Sequence, residues 1–385
     1  MVAARCRQVL GMMNQEQWQA VAKYLEGLGH TLDLANEPKK LSGGVANFNY
    51  VVSLNGKKAV LRRPPDGPLP PGANDVAREY RVLSSLKEHY PPAPVGLVFC
   101  DDETVIGVPF CISEFRDGIC IGRLLPDSLS DRPQIGDALS QLLVESLAKL
   151  HKVDLQATGL ESLGNVDGFL ERQIGGWYKR GSRVLSEQQL EKLGTIRDWL
   201  QDNLPDKRLG TLVHNDFKLD NMLINEESLT VNGVVDWDMC TVGDPFYELA
   251  ILLAYWGDQD DEPAYDFQCR MPKEAEGWWP RDKVIEEYFK LTGFEKAGLN
   301  FYWWLTQYRN IVVYAQLNAL FSRTGEFPAA LTQEECELMP ERVDQLLEAV
   351  TATVGSQDGM KSRPIEAKRK PSGVGPKSKE EIQNA

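Results

Sequence analysis

The chain of 385 residues has no apolar run long enough to cross a membrane, no surplus of positive charge, and no cysteine pairs at metal-ligand spacing. Each absence excludes a class of protein. A net charge of -14 argues against a nucleic-acid surface, which draws its affinity from clustered lysine and arginine. The seven cysteines, Cys6, Cys100, Cys111, Cys120, Cys240, Cys269 and Cys336, are scattered and odd in number. They exclude a disulfide framework and read as free thiols in a reducing cytoplasm. No internal repeat is present, so no solenoid is expected. Met1 to Gly11 lacks the apolar core of a signal peptide, although Arg5 and Arg7 among small residues leave an organelle-targeting role open. After Gly355 the chain is polar, lysine-rich and free of aromatic residues. Residues 355–385 are therefore expected to form a disordered tail, and residues 1–13 a flexible lead-in.

What remains can bury a substantial core in two lobes. Its densest chemistry is His214-Asn215-Asp216-Phe217-Lys218-Leu219-Asp220-Asn221, then Val234-Val235-Asp236-Trp237 and Gly243-Asp244-Pro245. A phosphoryl group in transfer carries spread negative charge, so its enzymes chiefly align a hydroxyl and neutralise charge. Asp216 is placed to accept the hydroxyl proton. Lys218 can meet the same phosphate as a positive charge, while Asn221 and Asp236 offer the hard oxygens that magnesium prefers. Aspartate and asparagine also serve in ordinary turns, but four such positions between apolar strands favour chemistry. His214 is expected to order the loop rather than to transfer protons.

The local pattern supports that placement. Thr211-Leu212-Val213 is predicted as a strand entering the loop, Met222-Leu223-Ile224 as one leaving it, and Leu229 to Val235 as the returning partner. Asp244 before Pro245 reads as an N-cap and first-turn proline of a helix carrying Phe246, Leu249, Ala250, Leu253 and Ala254. Nearer the N-terminus, Glu16 to Leu28 is predicted helical, with Trp18, Val21, Ala22, Leu25 and Leu28 on one face. Asn49 to Leu54 and Lys57 to Arg62 flank Asn55-Gly56, a strong type I′ hairpin signal. A helix is predicted over Asn74 to Lys87, capped by Asn74 and Asp75, with Val76, Tyr80, Leu83 and Leu86 facing inward. Glu79 shares that inward stripe, and a carboxylate there needs a partner; Arg62 is the candidate.

With these motifs the chain resembles the aminoglycoside phosphotransferase and choline kinase-like family, relatives of the protein kinases. The family's His-Gly-Asp, the Asn five residues past that Asp, the aliphatic-Asp-Trp strand and Gly-Asp-Pro are matched, with Asn215 in place of Gly. Leu61-Arg62-Arg63-Pro64-Pro65, Arg78-Glu79-Tyr80-Arg81-Val82-Leu83 and Glu171-Arg172-Gln173 look closest to the branch whose kinase module is also found fused to acyl-CoA dehydrogenases. The likeness runs from about Leu41 to about Arg342. It implies an α+β, bilobal protein-kinase-like fold. A small N-terminal lobe with an antiparallel sheet would span 14–115, and a larger, mainly helical lobe 116–354. It also implies ATP as phosphoryl donor, Mg2+ and a small-molecule alcohol as acceptor. In that pattern Ser42, Gly43, Gly44 and Asn47 belong to a turn whose backbone amides approach phosphate, although the third glycine of the protein kinase loop is missing. Arg62 stands where most members have lysine, paired with Glu79. The backbone of Glu114, Phe115 and Arg116, after the apolar strand beginning at Phe110, would bind the adenine edge.

The acceptor is open to several readings. Asp258, Asp260, Asp261, Glu262 and Asp266 suit either a cationic, aminoglycoside-like amino alcohol or a solvated loop, the latter being the usual fate of a charge run. Arg172, Lys179, Arg180 and Arg183 with Trp177 and Tyr178 suit an anionic carrier such as coenzyme A, and so a hydroxyacyl thioester, or else cover a helix surface. A third location lies beside Trp303, Tyr308 and Arg309, on a helix predicted between 301 and 321. A nucleotide-binding regulatory module without transfer is the rival of a different class, favoured by Arg62 and the short glycine turn.

Overall fold

The computed structural model describes residues 13–41, 47–66, 75–296, 298–325 and 331–354. Helix α1, Gln15–Gly27, opens with a reciprocal cap between Asn14 and Gln17 and buries Trp18, Val21 and Leu25. Leu28, expected on that face, is instead the C-cap and is exposed. Strands β1 (Lys39–Lys40), β2 (Phe48–Leu54) and β3 (Lys57–Arg63) follow. Asn55 and Gly56 both take positive φ, 51° and 74°, as a type I′ turn requires. Helix α2, Val76–Leu86, is capped by Asp75, whose carboxylate accepts from the Arg78 amide at 3.0 Å; Asn74 lies outside the described residues. Strands β4 (Gly96–Cys100) and β5 (Phe110–Glu114) complete a five-stranded antiparallel sheet in the order β1-β2-β3-β5-β4.

The rest is mainly helical: α3 (Ile135–His151), α4 (Phe169–Gly181) and α5 (Glu187–Asp202) precede two small hairpin-like sheets. Strand β6 (Thr211–Val213) pairs with β9 (Thr241–Gly243), and β7 (Met222–Ile224) with β8 (Val231–Val234). Strand β8 starts two residues later than expected because Leu229 adopts a left-handed φ of 50° in the turn. Helices α6 (Pro245–Trp256), α7 (Arg281–Thr292), α8 (Asn300–Thr324) and α9 (Met339–Val354) close the chain. Among the described residues no helix is long and apolar enough to cross a membrane, and the six cysteines are unpaired.

Two apolar clusters hold this arrangement. One joins Trp18, Val21 and Leu25 of α1 to Val52, Leu61 and Ile112 of the sheet. The other runs through the helical region and also takes in Val82, Leu83 and Leu86 of α2. Burying such a side chain contributes roughly 1.5–3 kcal/mol, so three of them fix α2, and with it Glu79, to the helical body. The solvated loop expected at Asp258 to Asp266 forms in part, with Asp260 and Glu262 exposed. Asp261 grips the buried guanidinium of Arg281 with both oxygens, and Asp266 pairs with Lys273. Asp261 thus neutralises a cation that would otherwise be stranded in the core.

Candidate active site

Strand β6 delivers His214 and Asn215 to a buried turn held from below by Glu248 of α6. The Glu248 carboxylate accepts from the His214 amide at 3.0 Å, from the Asn215 amide, and from His151 Nε2 at 2.8 Å. Asn215 sits at φ 68°, a left-handed position that Gly fills without strain and Asn tolerates. Its side chain also donates to the Met239 carbonyl at 2.9 Å. Both ring nitrogens of His214 are spent on the backbone: Nε2–H donates to Val235 O at 2.9 Å, and Nδ1 accepts from the Asp216 amide at 3.3 Å. That arrangement orders the loop.

Above this turn the polar side chains converge. Lys218 Nζ lies 3.0 Å from Asp216 and 3.5 Å from Asp220. The Asn221 amide nitrogen donates to Asp216 twice, to the backbone carbonyl at 2.8 Å and to the carboxylate at 3.0 Å. Burial alone would raise the Asp216 carboxyl, but Lys218, Arg309 and His214 hold it below its ordinary value. Burial likewise opposes the Lys218 ammonium, and Asp216 and Asp220 outweigh it. The Val235 amide donates to Asn221 O at 2.9 Å, which sets Asp236 beside Asn221. Asp236 takes φ 71°, a strained conformation for a non-glycine residue and one that gathers at functional sites.

Arg62, at the end of β3, spans three carboxylates. Its Nε is 2.8 Å from Glu79, and its Nη2 is 2.6 Å from Asp236 and 3.1 Å from Asp238. The oxygen of the Asn47 amide lies against the same guanidinium. Burial pushes the Glu79 carboxyl up to about 7, against the pull of Arg62 and with the help of Asp236 and Asp238. The neighbouring Arg63 turns the other way, toward Asp66 at 2.6 Å and the Pro64 carbonyl. Two acids went unnoticed in the sequence. Asp238 is the second acid of Asp236-Trp237-Asp238, and Glu248 is the one charge inside an apolar helical run, a placement that demands buried partners.

The hard oxygens fit a magnesium ion. With the Asn221 nitrogen committed to Asp216, the amide oxygen is the donor that remains; Asp236 follows Val235, whose amide bonds the Asn221 carbonyl, and one of its carboxylate oxygens is held by Arg62 at 2.6 Å. Among the described residues no three acidic, His or Cys side chains form a metal cage. Magnesium typically binds through one or two carboxylates plus substrate phosphates, so this smaller set suffices. Ser42, Gly43 and Gly44 lie outside the described residues. Glu114, Phe115 and Arg116 follow β5: Glu114 accepts from the Val95 amide and pairs with Arg116 at 2.9 Å, and Lys58 lies 5.0 Å from the Phe115 ring centroid. Two residues on, Gly118 at φ 152° presses on β7, where a Cβ would meet the Leu223 carbonyl carbon at 2.8 Å.

Beside the loop lies a cavity of about 410 Å³ whose lining includes Arg172, Trp177, Arg180 and Arg309 together with Asn215 and Asp238. Four of the residues singled out as acceptor contacts are thus brought together, on two elements, α4 and α8. Tyr308 is not among them. It faces the opposite side of α8, is fully buried, and donates to the Ile174 carbonyl at 3.1 Å. Trp303 is buried as well and lies against Arg281. The physical reason is one of phase: consecutive residues on a helix point about 100° apart, so Arg309 reaches the cavity while Tyr308 packs α4.

A sheet-bearing small lobe over a helical body, with an Asp, Lys and Asn loop facing an Asp on the next hairpin, defines a protein-kinase-like phosphotransferase fold. The sequence profile of the phosphotransferase enzyme family matches residues 37–281, and the chain belongs to that family. It is 30% identical over 328 residues to acyl-CoA dehydrogenase family member 10 of Mus musculus, covering 83% of this chain and 30% of that protein. The chain therefore spans about three tenths of the length of such relatives. Among solved structures it is similar to a Ralstonia eutropha JMP134 chain assigned to the aminoglycoside phosphotransferases, with a TM-score of 0.69, 23% identity and coverage of 89% and 99% of the two chains. It is also similar to aminoglycoside phosphotransferase APH(4)-Ia bound to AMP-PNP and hygromycin B, with a TM-score of 0.54, 17% identity and coverage of 86% and 98%.

Proposed function

We propose that this chain transfers the terminal phosphoryl group of ATP to a hydroxyl of a small molecule, with a hydroxyacyl-coenzyme A or related metabolite as the candidate acceptor. The observation that carries the reading is the convergence of Asp216, Lys218, Asn221 and Asp236 on one side and of Arg62 with Glu79 on the other. The acceptor oxygen bonds to the terminal phosphorus, the bond to the bridging oxygen of ADP breaks, and the hydroxyl proton passes to the Asp216 carboxylate. Lys218 offsets the charge on the moving group. Asn221 and Asp236 would hold Mg2+, which supplies charge neutralisation across the phosphates when bound. Arg62, fixed by Glu79, grips the nucleotide phosphates in the role usually given to lysine, and the 114–116 backbone receives the base. Residues 14–115 act as the nucleotide lobe and 116–354 as the catalytic and acceptor lobe.

AMP-PNP in the APH(4)-Ia complex supports ATP as donor. The acyl thioester acceptor is suggested by the name of the acyl-CoA dehydrogenase relative, of which this chain matches 30%. An amino-alcohol acceptor is less well supported, because Asp261 and Asp266 are engaged by Arg281 and Lys273. Unpaired cysteines favour a reducing compartment such as the cytoplasm. The test is ATP consumption across a panel of hydroxyacyl-CoA thioesters, free hydroxy acids and aminoglycosides. Turnover lost in Asp216→Asn supports the assignment. Nucleotide binding with no turnover on any hydroxy compound would leave a regulatory module instead.

A further inference from the structure

A chain of net charge -14 would be expected to answer each buried arginine with an acid. Among the described residues, Arg309 in the cavity beside the catalytic loop has no acid within ion-pair distance, and the exposed Arg172 and Arg180 line the same cavity. Arg309 is buried, yet its Nη1 donates only to neutral oxygens, the Tyr255 hydroxyl at 3.1 Å and the Asn310 amide at 2.7 Å. Arg180 rests 4.4 Å from the Trp177 ring centroid, with Arg309 5.5 Å from the same ring. Arg172, about two turns earlier on α4, donates to the Asp167 and Asn165 carbonyls. Among the described residues none of these three guanidiniums makes an ion pair with a carboxylate. Burial, together with the charges of Arg309 and Arg183, depresses the Arg180 guanidinium below its ordinary value despite Tyr247. Asp216 is the acid whose charge reaches the buried Arg309, so three guanidiniums round one cavity leave positive charge that an anionic ligand can answer.

We propose that Arg180 and Arg309 form an anion subsite that takes an oxyanion of the acceptor, phosphate or carboxylate, and so orients its hydroxyl toward Asp216. The placement follows from Asn215, which lines the same cavity immediately before Asp216. A planar guanidinium matches either oxyanion with paired hydrogen bonds. Trp177 offers an apolar wall for whatever carries the anion. The inference rests on the reading of Asp216 as proton acceptor, and binding can be tested apart from it.

The full chain is first titrated with magnesium and AMP-PNP, which reports on the nucleotide site alone. With that site saturated, calorimetry follows inorganic phosphate in one arm and malonate in the other. Saturable binding of either is expected, weakened about tenfold in Arg180→Gln and partly kept in Arg180→Lys. Asp216→Asn should lose turnover and keep the anion, which separates the subsite from the catalytic reading. The stronger arm tells phosphate from carboxylate. Arg309→Gln is a second probe, used only where its circular dichroism matches the parent. Binding of neither anion, or binding that Arg180→Gln leaves unchanged, overturns the proposal.

Discussion

The Asp216 carboxylate is held below its ordinary value by Lys218 and Arg309 against burial, while Asn221 fixes its orientation. Asp216→Asn keeps the shape and removes the base, so turnover should fall at least about a hundredfold while the Kd for AMP-PNP stays within error. Steady-state kinetics and calorimetry together check both halves. At Asn215 the backbone decides. With φ at 68°, Asn215→Gly should keep the fold and most of the turnover, whereas Asn215→Val should cost about 1–3 kcal/mol of stability in a denaturant titration. The placement of these residues in one loop was readable because it is local, a matter of spacing. Asp238 and Glu248 were not, because their partners lie far along the chain: Arg62 for the first, and His151 and the loop amides for the second.

Between elements, the pair of Arg62 on β3 and Glu79 on α2 ties sheet to helix. Arg62→Ala should weaken catalysis strongly, and the double change with Glu79→Ala should cost less than the two single changes added together. Strict additivity in kcat/KM would separate the residues. Sequence reasoning reached this pair through a physical demand, since a carboxylate in the stripe of Val76 and Leu83 had to find a cation. Asp261 departs from the solvated reading because its partner Arg281 opens a later helix and nothing near Asp261 announces it. Tyr308 failed for a different reason: its side of α8 is set by packing against α4, and α8 is buried on nearly every side over its first four turns. Where a helix is buried all round, periodicity cannot say which face meets a cavity.

For the whole molecule, the buried acids determine how stability varies with pH. Asp244 caps α6, accepting from the Phe246 amide at 2.9 Å and the Tyr302 hydroxyl at 3.0 Å, and burial pushes its carboxyl up to about 6 from 3.8. Glu79 is pushed up to about 7 from 4.5. In both, the folded chain holds the proton more tightly than the unfolded chain, so the stabilisation is full below the ordinary value and is lost as pH rises through the folded value. Acids held low by hydrogen bonds, such as Asp137 and Glu171, act with the opposite sign, but only near and below their ordinary range. Between about pH 5 and pH 7 the raised pair therefore dominates, and the Tm of the nucleotide-free protein should fall across that window. The Asp244 displacement alone corresponds to roughly 3 kcal/mol. Asn is as good an N-cap as Asp, so Asp244→Asn should keep α6, raise the Tm at pH 7, and flatten the profile. Calorimetric scans of both proteins from pH 5 to pH 7.5 check it, and a variant as pH-dependent as the parent would place the buried charge elsewhere.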